Sequence, residues 1–142
     1  MEHMLRFLLL FLILGAVVSA TGNAAEESRS NQPTIVTFSE DGVQRVTIVL
    51  DSYSYSPDHI VVQAGKPVEL ILTSITTIVP HNFVLKDGAA ELSIDRDVSA
   101  GKTRTVQFTP VQKGVFAFFC DKKLLFFASH REKGMEGKLE VR

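Results

Sequence analysis

Short runs of alternating apolar and polar residues, separated by turn residues, dominate the chain after Pro33. The alternation is clearest at residues 44–51, where Val46, Ile48 and Leu50 occupy every second position. A period of two is typical of a strand with one buried face. On this basis we predict strands at residues 33–38, 44–51, 59–63, 68–74, 81–85, 105–108, 114–120 and 137–141.

Turn signals separate these strands at short intervals. Asp41-Gly42 predicts a tight turn or hairpin, and Gly65 with Pro67 predicts another turn before the next strand. We expect loops at residues 54–58 and 87–100, the latter with at most one helical turn, and a short helix only within residues 122–129. Many short strands with little helical periodicity indicate an all-β fold, an antiparallel β-sandwich of Greek-key type.

The N-terminal segment has the features of a secretory signal peptide. Arg6 precedes an apolar run at residues 7–18, and small residues follow it. We predict a signal peptide at residues 1–20, with cleavage after Ala20 or Ala25, and a mature protein without a stable membrane span. Retention of the run as an anchor is the alternative, although a spanning helix needs about 20 apolar residues.

The remainder of the chain divides into a leader and one domain. Residues 21–33 are small, polar and charged, which predicts a flexible leader. Residues 34–142 are long enough for one domain with its own core. With a net charge of −1 over 142 residues, the overall charge gives no reason to propose nucleic acid or an anionic membrane as a partner.

The single cysteine, Cys120, has no partner within the chain for a disulfide. Exported proteins usually pair their cysteines, so a lone thiol suggests a buried inert side chain, a bond to another molecule, or a metal ligand. Its neighbours favour the metal ligand. Within the strand at 114–120, Phe116, Phe118 and Cys120 share one face, so the sulfur should point into the sandwich and Phe119 outward.

Further candidate ligands lie near the same end of the sandwich. His130 follows Cys120 after nine residues, Met135 follows after four more, and His81 begins an upstream strand. Taken singly, each of these residues is more often structural. Together, thiolate, imidazole and thioether donors suit copper, and they form the ligand set of a mononuclear blue copper site.

The chain resembles the cupredoxin family of blue copper proteins. The resemblance rests on G-x-F-x-F-x-C at residues 114–120, on the spacing of His130, Met135 and Gly137, on the His81-Asn82 pair, and on the turn at residues 65–68. It extends over most of the predicted domain. These motifs occur in the order typical of the family, behind a predicted signal peptide.

The resemblance implies roles for individual residues. His81, Cys120 and His130 would be the strong ligands of one copper ion, and Met135 the weak axial ligand. Asn82 would connect the two ligand loops, next to backbone N–H groups that hydrogen-bond to the thiolate. The family also implies that electrons leave through the exposed edge of the imidazole at His130, beside the outward-facing Phe119.

The loop between Cys120 and His130 is longer than in small plastocyanin-like and azurin-like members. It contains four consecutive apolar residues, and basic residues flank them. One interpretation is an exposed docking patch for an acidic-rimmed redox partner; the other is a short helix buried over the copper end. The apolar residues are Leu124, Leu125, Phe126 and Phe127, and the basic ones are Lys122, Lys123, Arg131 and Lys133.

The leading functional prediction is a monomeric, exported protein, periplasmic or extracellular, that carries one copper ion and transfers electrons between protein redox partners. The alternatives are a copper carrier that delivers the ion to an extracytoplasmic enzyme, and a copper-free interaction domain. We expect no enzymatic activity, because the sequence offers no further histidine cluster for a second copper site.

Overall fold

The computed structural model describes residues 32–88 and 91–142. The predicted signal peptide and nearly all of the predicted leader lie outside these residues. The described part forms ten strands, β1–β10, and contains no helix. The strands are β1 Thr34–Ile35, β2 Gln44–Asp51, β3 Ser54–Ser56, β4 His59–Val62, β5 Val68–Ser74, β6 His81–Asp87, β7 Leu92–Val98, β8 Thr103–Phe108, β9 Gly114–Phe119 and β10 Glu136–Val141.

The strands form two sheets that face each other. One has six strands in the order β1-β4-β10-β9-β6-β7, and the other has four in the order β3-β2-β5-β8. Alternate residues of each sheet point into the shared core, as in β5, where every second side chain is buried. The all-β sandwich is confirmed. Fully buried members of the core include Ile48, Leu50, Ile60, Leu70, Leu72, Phe83, Leu85, Phe118 and Leu139.

Both sheets are mixed, whereas the prediction described the sandwich as antiparallel. β2 pairs with β5 in parallel, and β4 pairs in parallel with both β1 and β10. The remaining strand pairs are antiparallel, including β9 with β10 and β6 with β7. Residue periodicity identifies a strand but carries no information about the direction of its neighbour, which explains the difference.

Two local predictions about loops were wrong. The expected loop at residues 87–100 contains β7, an edge strand whose exposed Asp95, Arg96 and Asp97 hide the alternation; charges are common on such edges. The expected loop at 54–58 contains β3, which pairs with β2.

The short helix expected within residues 122–129 is also absent. A turn occupies this segment instead, with Phe127 N–H donating to the Leu124 carbonyl oxygen and Leu125 at a φ of 50°. Four successive apolar residues do not provide the spacing of an amphipathic helix. The backbone N–H of His130 donates to the Lys122 carbonyl oxygen at 2.8 Å, which closes the base of the loop.

The tight turn predicted at Asp41-Gly42 is confirmed. Gly42 donates its N–H to the Ser39 carbonyl oxygen at 2.9 Å, and its φ of 78° lies in the left-handed region that glycine tolerates. Within the described residues, no helix is long and apolar enough to cross a membrane.

Gly137 marks the close approach of three segments at one end of the sandwich. It pairs with Phe118 across β9 and β10, and a Cβ atom added to it would overlap both the Phe118 ring and the Asp58 carbonyl oxygen. Glycine is therefore required here for packing, two residues after Met135.

We expect Gly137→Ala to lower the free energy of unfolding by about 2 kcal/mol or more, because the added methyl group overpacks a rigid site. Urea unfolding of the metal-free protein measures this loss. Gly88→Ala is the matched control, since a Cβ there meets nothing within 4 Å, and it should change the stability by less than about 0.5 kcal/mol. Equal effects of the two substitutions would contradict the packing argument.

Candidate metal centre

Two neighbouring strands and one loop bring three predicted ligands together. His81 is the first residue of β6, Cys120 directly follows β9, and β6 pairs with β9. His130 lies in the loop that leads to β10. One donor atom from each of these residues lies within 4.8 Å of the others, and all three side chains are buried.

The loop before β10 is held in position by main-chain hydrogen bonds. Met135 N–H donates to the His130 carbonyl oxygen at 2.9 Å, and Cys120 N–H donates to the Met135 carbonyl oxygen at 3.1 Å. The Met135 side chain is fully buried in the same core cluster as Cys120. These two hydrogen bonds fix Cys120, His130 and Met135 relative to one another.

A short turn that begins at Ser129 holds the backbone on either side of His130. The Ser129 N–H and hydroxyl both donate to the Glu132 carboxylate, and the Glu132 N–H donates back to the Ser129 hydroxyl oxygen. This reciprocal arrangement is that of a capping box. It orders the turn between His130 and Gly134 before the chain reaches Met135.

His81 is the least satisfied side chain of the cluster. It is 0% exposed, and both of its ring nitrogens, Nδ1 and Nε2, are buried without a hydrogen-bond partner among the described residues. Buried polar atoms almost always have a partner, and each one left without costs on the order of 1–3 kcal/mol. A metal ion bound through one of these nitrogens would supply the partner that this atom lacks.

Burial also sets the protonation of the two histidines. Burial, followed by the charge of His130, lowers the pKa of His81 from 6.5 to about 4. Burial, with a smaller effect of Lys133, likewise lowers the pKa of His130. Both imidazoles are therefore neutral near pH 7, which leaves a ring nitrogen lone pair available to a metal on each.

The Cys120 sulfur has two close polar neighbours. The Asn82 backbone N–H donates to Sγ at 3.4 Å, and His130 Nδ1 lies 3.4 Å from the same atom. Burial raises the pKa of the thiol, and the N–H groups of Asn82 and Lys122 oppose this shift because they favour the thiolate. A cation at the cluster would favour the thiolate further.

The Asn82 side chain joins the two ligand-bearing segments. Its Nδ2 donates to Asp121 Oδ1 at 2.8 Å, and its Oδ1 accepts from the Asp121 backbone N–H at 3.1 Å. The Tyr55 hydroxyl donates to the Asn82 carbonyl oxygen at 2.5 Å. The sequence reasoning missed Asp121 and Tyr55; the position of Asp121 directly after Cys120 was the available signal.

Tyr53 was also missed. Its ring meets the His130 ring edge-on, with centroids 5.1 Å apart, and the ammonium of Lys133 lies 4.2 Å from the centre of the tyrosine ring. His130 is 8% exposed, at the edge of a hollow of about 350 Å³ between the loop at residues 75–80 and the loop at residues 122–130. Both tyrosines of the chain, Tyr53 and Tyr55, lie in the segment before β4, but nothing in the sequence indicates that Tyr53 packs beside His130.

The orientation predicted for β9 is confirmed. Phe116, Phe118 and Cys120 are buried on one face, and Phe119 points to the other, where it is half-buried. The guanidinium of Arg131 stacks on the Phe119 ring, 4.0 Å from its centre.

The four apolar residues of the ligand loop are exposed. Leu124 and Leu125 are 68% and 73% exposed, and Phe126 and Phe127 are 87% and 55% exposed. The interpretation of this loop as a short helix buried over the copper end is therefore wrong. Two of the flanking basic side chains are in ion pairs, Lys122 with Asp97 and Arg131 with Glu136.

The family model of the cupredoxin-like domain matches residues 8–139 of the 142-residue chain. The chain belongs to the cupredoxin family. No curated protein sequence matches it.

Solved structures share the cupredoxin fold at low sequence identity. The metal-binding domain of the Cu(I)-exporting P-type ATPase CopA of Streptococcus pneumoniae D39, solved with Cu(I), is 18% identical, with a TM-score of 0.58 over 78% of this chain and 96% of that one. Reduced auracyanin of Roseiflexus castenholzii is 16% identical, with a TM-score of 0.57 over 69% and 96%. Auracyanin A of Chloroflexus aurantiacus, a blue copper protein, is 20% identical, with a TM-score of 0.56 over 71% and 100%.

The residues of this cupredoxin fit a copper ion. A buried thiol and two neutral imidazoles, one of them the unsatisfied ring of His81, form a compact set of soft and borderline donors, the types that copper prefers. Copper as the cofactor, predicted from the sequence, is confirmed by the family and by this cluster.

The lowered pKa of His81 predicts a pH-dependent stability for the metal-free protein. As the pH falls from 6.5 towards 4, His81 becomes protonated in the unfolded chain but stays neutral in the folded chain. Protonation therefore stabilises the unfolded state, and the free energy of unfolding decreases. We expect a loss on the order of 2 kcal/mol across this window, measured by urea unfolding at several pH values.

His81→Gln removes this titrating group and should make the pH dependence shallower between pH 6.5 and 4.5, where His130 continues to contribute. An unchanged slope in the variant would show that the environment of His81 does not penalise its charged form.

Proposed function

We propose that this cupredoxin is an exported electron-transfer protein with one mononuclear type 1 copper, which cycles between Cu(I) and Cu(II). His81, Cys120 and His130 would be the strong ligands, and Met135 the weak fourth ligand. The observation that carries this proposal is the pair of unsatisfied, buried nitrogens of His81 beside a buried thiol and a second imidazole. An ion shared by these donors would bind one of these nitrogens and so remove part of the cost of burying them.

A copper ion at such a site supplies one-electron redox chemistry with little change of geometry, because the donor set is a compromise between the preferences of its two oxidation states. The protein keeps the donor atoms in fixed positions. His81 and Cys120 are at the ends of adjacent strands, the Asn82–Asp121 hydrogen bonds connect their segments, and main-chain bonds fix Met135.

The Asn82 backbone N–H would also tune the site through its hydrogen bond to Cys120 Sγ. Donors to a ligating sulfur reduce the charge that the sulfur can share with the metal, and such contacts adjust its redox properties.

We infer that electrons enter and leave near His130. It keeps a small accessible edge next to a surface hollow, whereas His81 and Cys120 are fully buried. Tyr53 and Lys133 pack over one side of this edge, and the exposed loop residues border the other. The Arg131 guanidinium stacks on the Phe119 ring, so Phe119 is a less direct exit than its outward orientation alone would imply.

The other elements of the proposal rest on the sequence. Residues 1–20 would direct export to the periplasm or the extracellular space, residues 21–33 would be a leader, and residues 34–142 would act as a monomer with protein redox partners. We assign no enzymatic activity, because four protein donors would leave no coordination position for a substrate.

Copper carriage is the second candidate, because the same soft donors also hold Cu(I). The buried, hydrogen-bonded placement of the donors supports electron transfer instead: a carrier must release its ion, whereas a redox site must retain it.

Repeated oxidation and reduction of the copper-loaded protein distinguishes the two functions. We expect a reversible one-electron response, with one copper per chain retained through the cycles and in the presence of a competing Cu(I) chelator. Copper content and voltammetry measure this directly. Loss of copper to the chelator at each reduction would favour carriage and overturn the electron-transfer proposal.

A further inference from the structure

Five large apolar side chains form an exposed cluster at the copper end of the sandwich. We call them the apolar tip: residues 124–127 of the ligand loop, together with Ile78 of the neighbouring loop. Ile78 is 85% exposed and Phe126 is 87% exposed. Ile78, Leu124 and Phe127 line the same hollow beside His130. Contiguous apolar clusters are uncommon on monomers and usually mark an interaction site.

We propose that the apolar tip inserts into the interfacial region of a lipid bilayer that contains anionic lipids. The proposal does not depend on copper, because the tip and its contacts belong to the protein alone. It assigns the copper end of the molecule as the end that faces the membrane.

The shape of the tip fits a bilayer. The tip protrudes, with Phe126 more exposed than any other large apolar side chain in the described residues and its ring 5.0 Å from that of Phe127. Protruding Leu and Phe side chains can enter the boundary between headgroups and acyl chains to a depth of about 5–10 Å without a complementary pocket. A protein partner would need such a pocket for each of them.

The residues next to the tip carry a small excess of positive charge, with four basic residues against the acidic Asp121, Glu132 and Glu136. The tip itself carries no charged residue, and Lys122, Lys123, Arg131 and Lys133 flank it in the sequence. Lys122 and Arg131 are in ion pairs, whereas the Lys133 ammonium contacts the hydroxyl group of Tyr53. The basic residues therefore add a modest electrostatic attraction to an interaction driven by the apolar side chains, and such attraction acts only near the surface.

The direction of β1 gives an independent reason. β10 begins at the copper end, β4 runs parallel to β10, and β1 runs parallel to β4. The chain before Thr34 therefore arrives from the copper end. The leader at residues 21–33 could extend by roughly 40 Å, and the apolar run at residues 7–18 precedes it. If this run is retained as an anchor, which is the alternative to a cleaved signal peptide, the chain would enter β1 from the bilayer at the end of the sandwich that carries the apolar tip.

A single tryptophan reporter tests insertion in the full chain, which has no tryptophan of its own. Phe126→Trp places the reporter at the tip, and Val111→Trp places it at an exposed position of the β8–β9 loop, at the opposite end. Both metal-free proteins are mixed with phosphatidylcholine–phosphatidylglycerol vesicles, with and without brominated acyl chains. Because both retain residues 7–18, any tethering by that run is the same for the two.

We expect the emission of the Phe126→Trp protein to shift to shorter wavelength and to be quenched by the brominated lipid, whereas the Val111→Trp protein stays in water. Adding Leu125→Ser to the tip reporter should lower its partition into the bilayer about tenfold, because one buried leucine is lost.

Two results would overturn the proposal. The first is that aqueous acrylamide quenches the tip reporter equally well with and without vesicles. This would show that the tip stays in water, and a protein would then be the partner that binds the tip. Equal bromolipid quenching of both reporters would show that the copper end has no preference for the membrane. Neither result bears on the copper proposal, since the proteins are metal-free.

Discussion

The burial of His81 is the constraint on which the rest of the site depends. This imidazole is enclosed at the start of β6 with both nitrogens unsatisfied in the described structure, an arrangement that costs free energy unless something binds there. Cys120 and His130 lie close enough to share one ion with it. Folding thus produces a cluster that is poorly satisfied by protein contacts alone and well matched to a soft metal ion.

The sandwich makes this cluster rigid by placing each donor at a strand end or in a tied loop. β6 and β9 are neighbours, so His81 and Cys120 meet where the two strands begin and end. Main-chain bonds to His130 and Met135 attach the loop to the same end. The close packing at Gly137 leaves little room for adjustment. The same end carries the exposed apolar residues, so the metal centre and the apolar tip are adjacent.

The sequence predicted the strands and donors that follow regular patterns and missed what depends on partners distant in the chain. Alternation identified β2 and β8, and the period of two along β9 predicted the orientation of Cys120. β7 was missed because the charges at residues 95–97 suit an edge strand but obscure its period. Parallel pairing, the Asn82–Asp121 hydrogen bonds and the contact of Tyr53 with His130 arise from tertiary packing, which local patterns do not encode.

The visible and EPR spectra of the protein after addition of Cu(II) are the sharpest test of the claim that His81, Cys120 and His130 hold one copper ion. We expect an intense thiolate-to-copper absorption band at one copper per chain, and its loss in Cys120→Ser. A colourless protein with only weak Cu(II) absorption, or a spectrum that Cys120→Ser leaves unchanged, would contradict it.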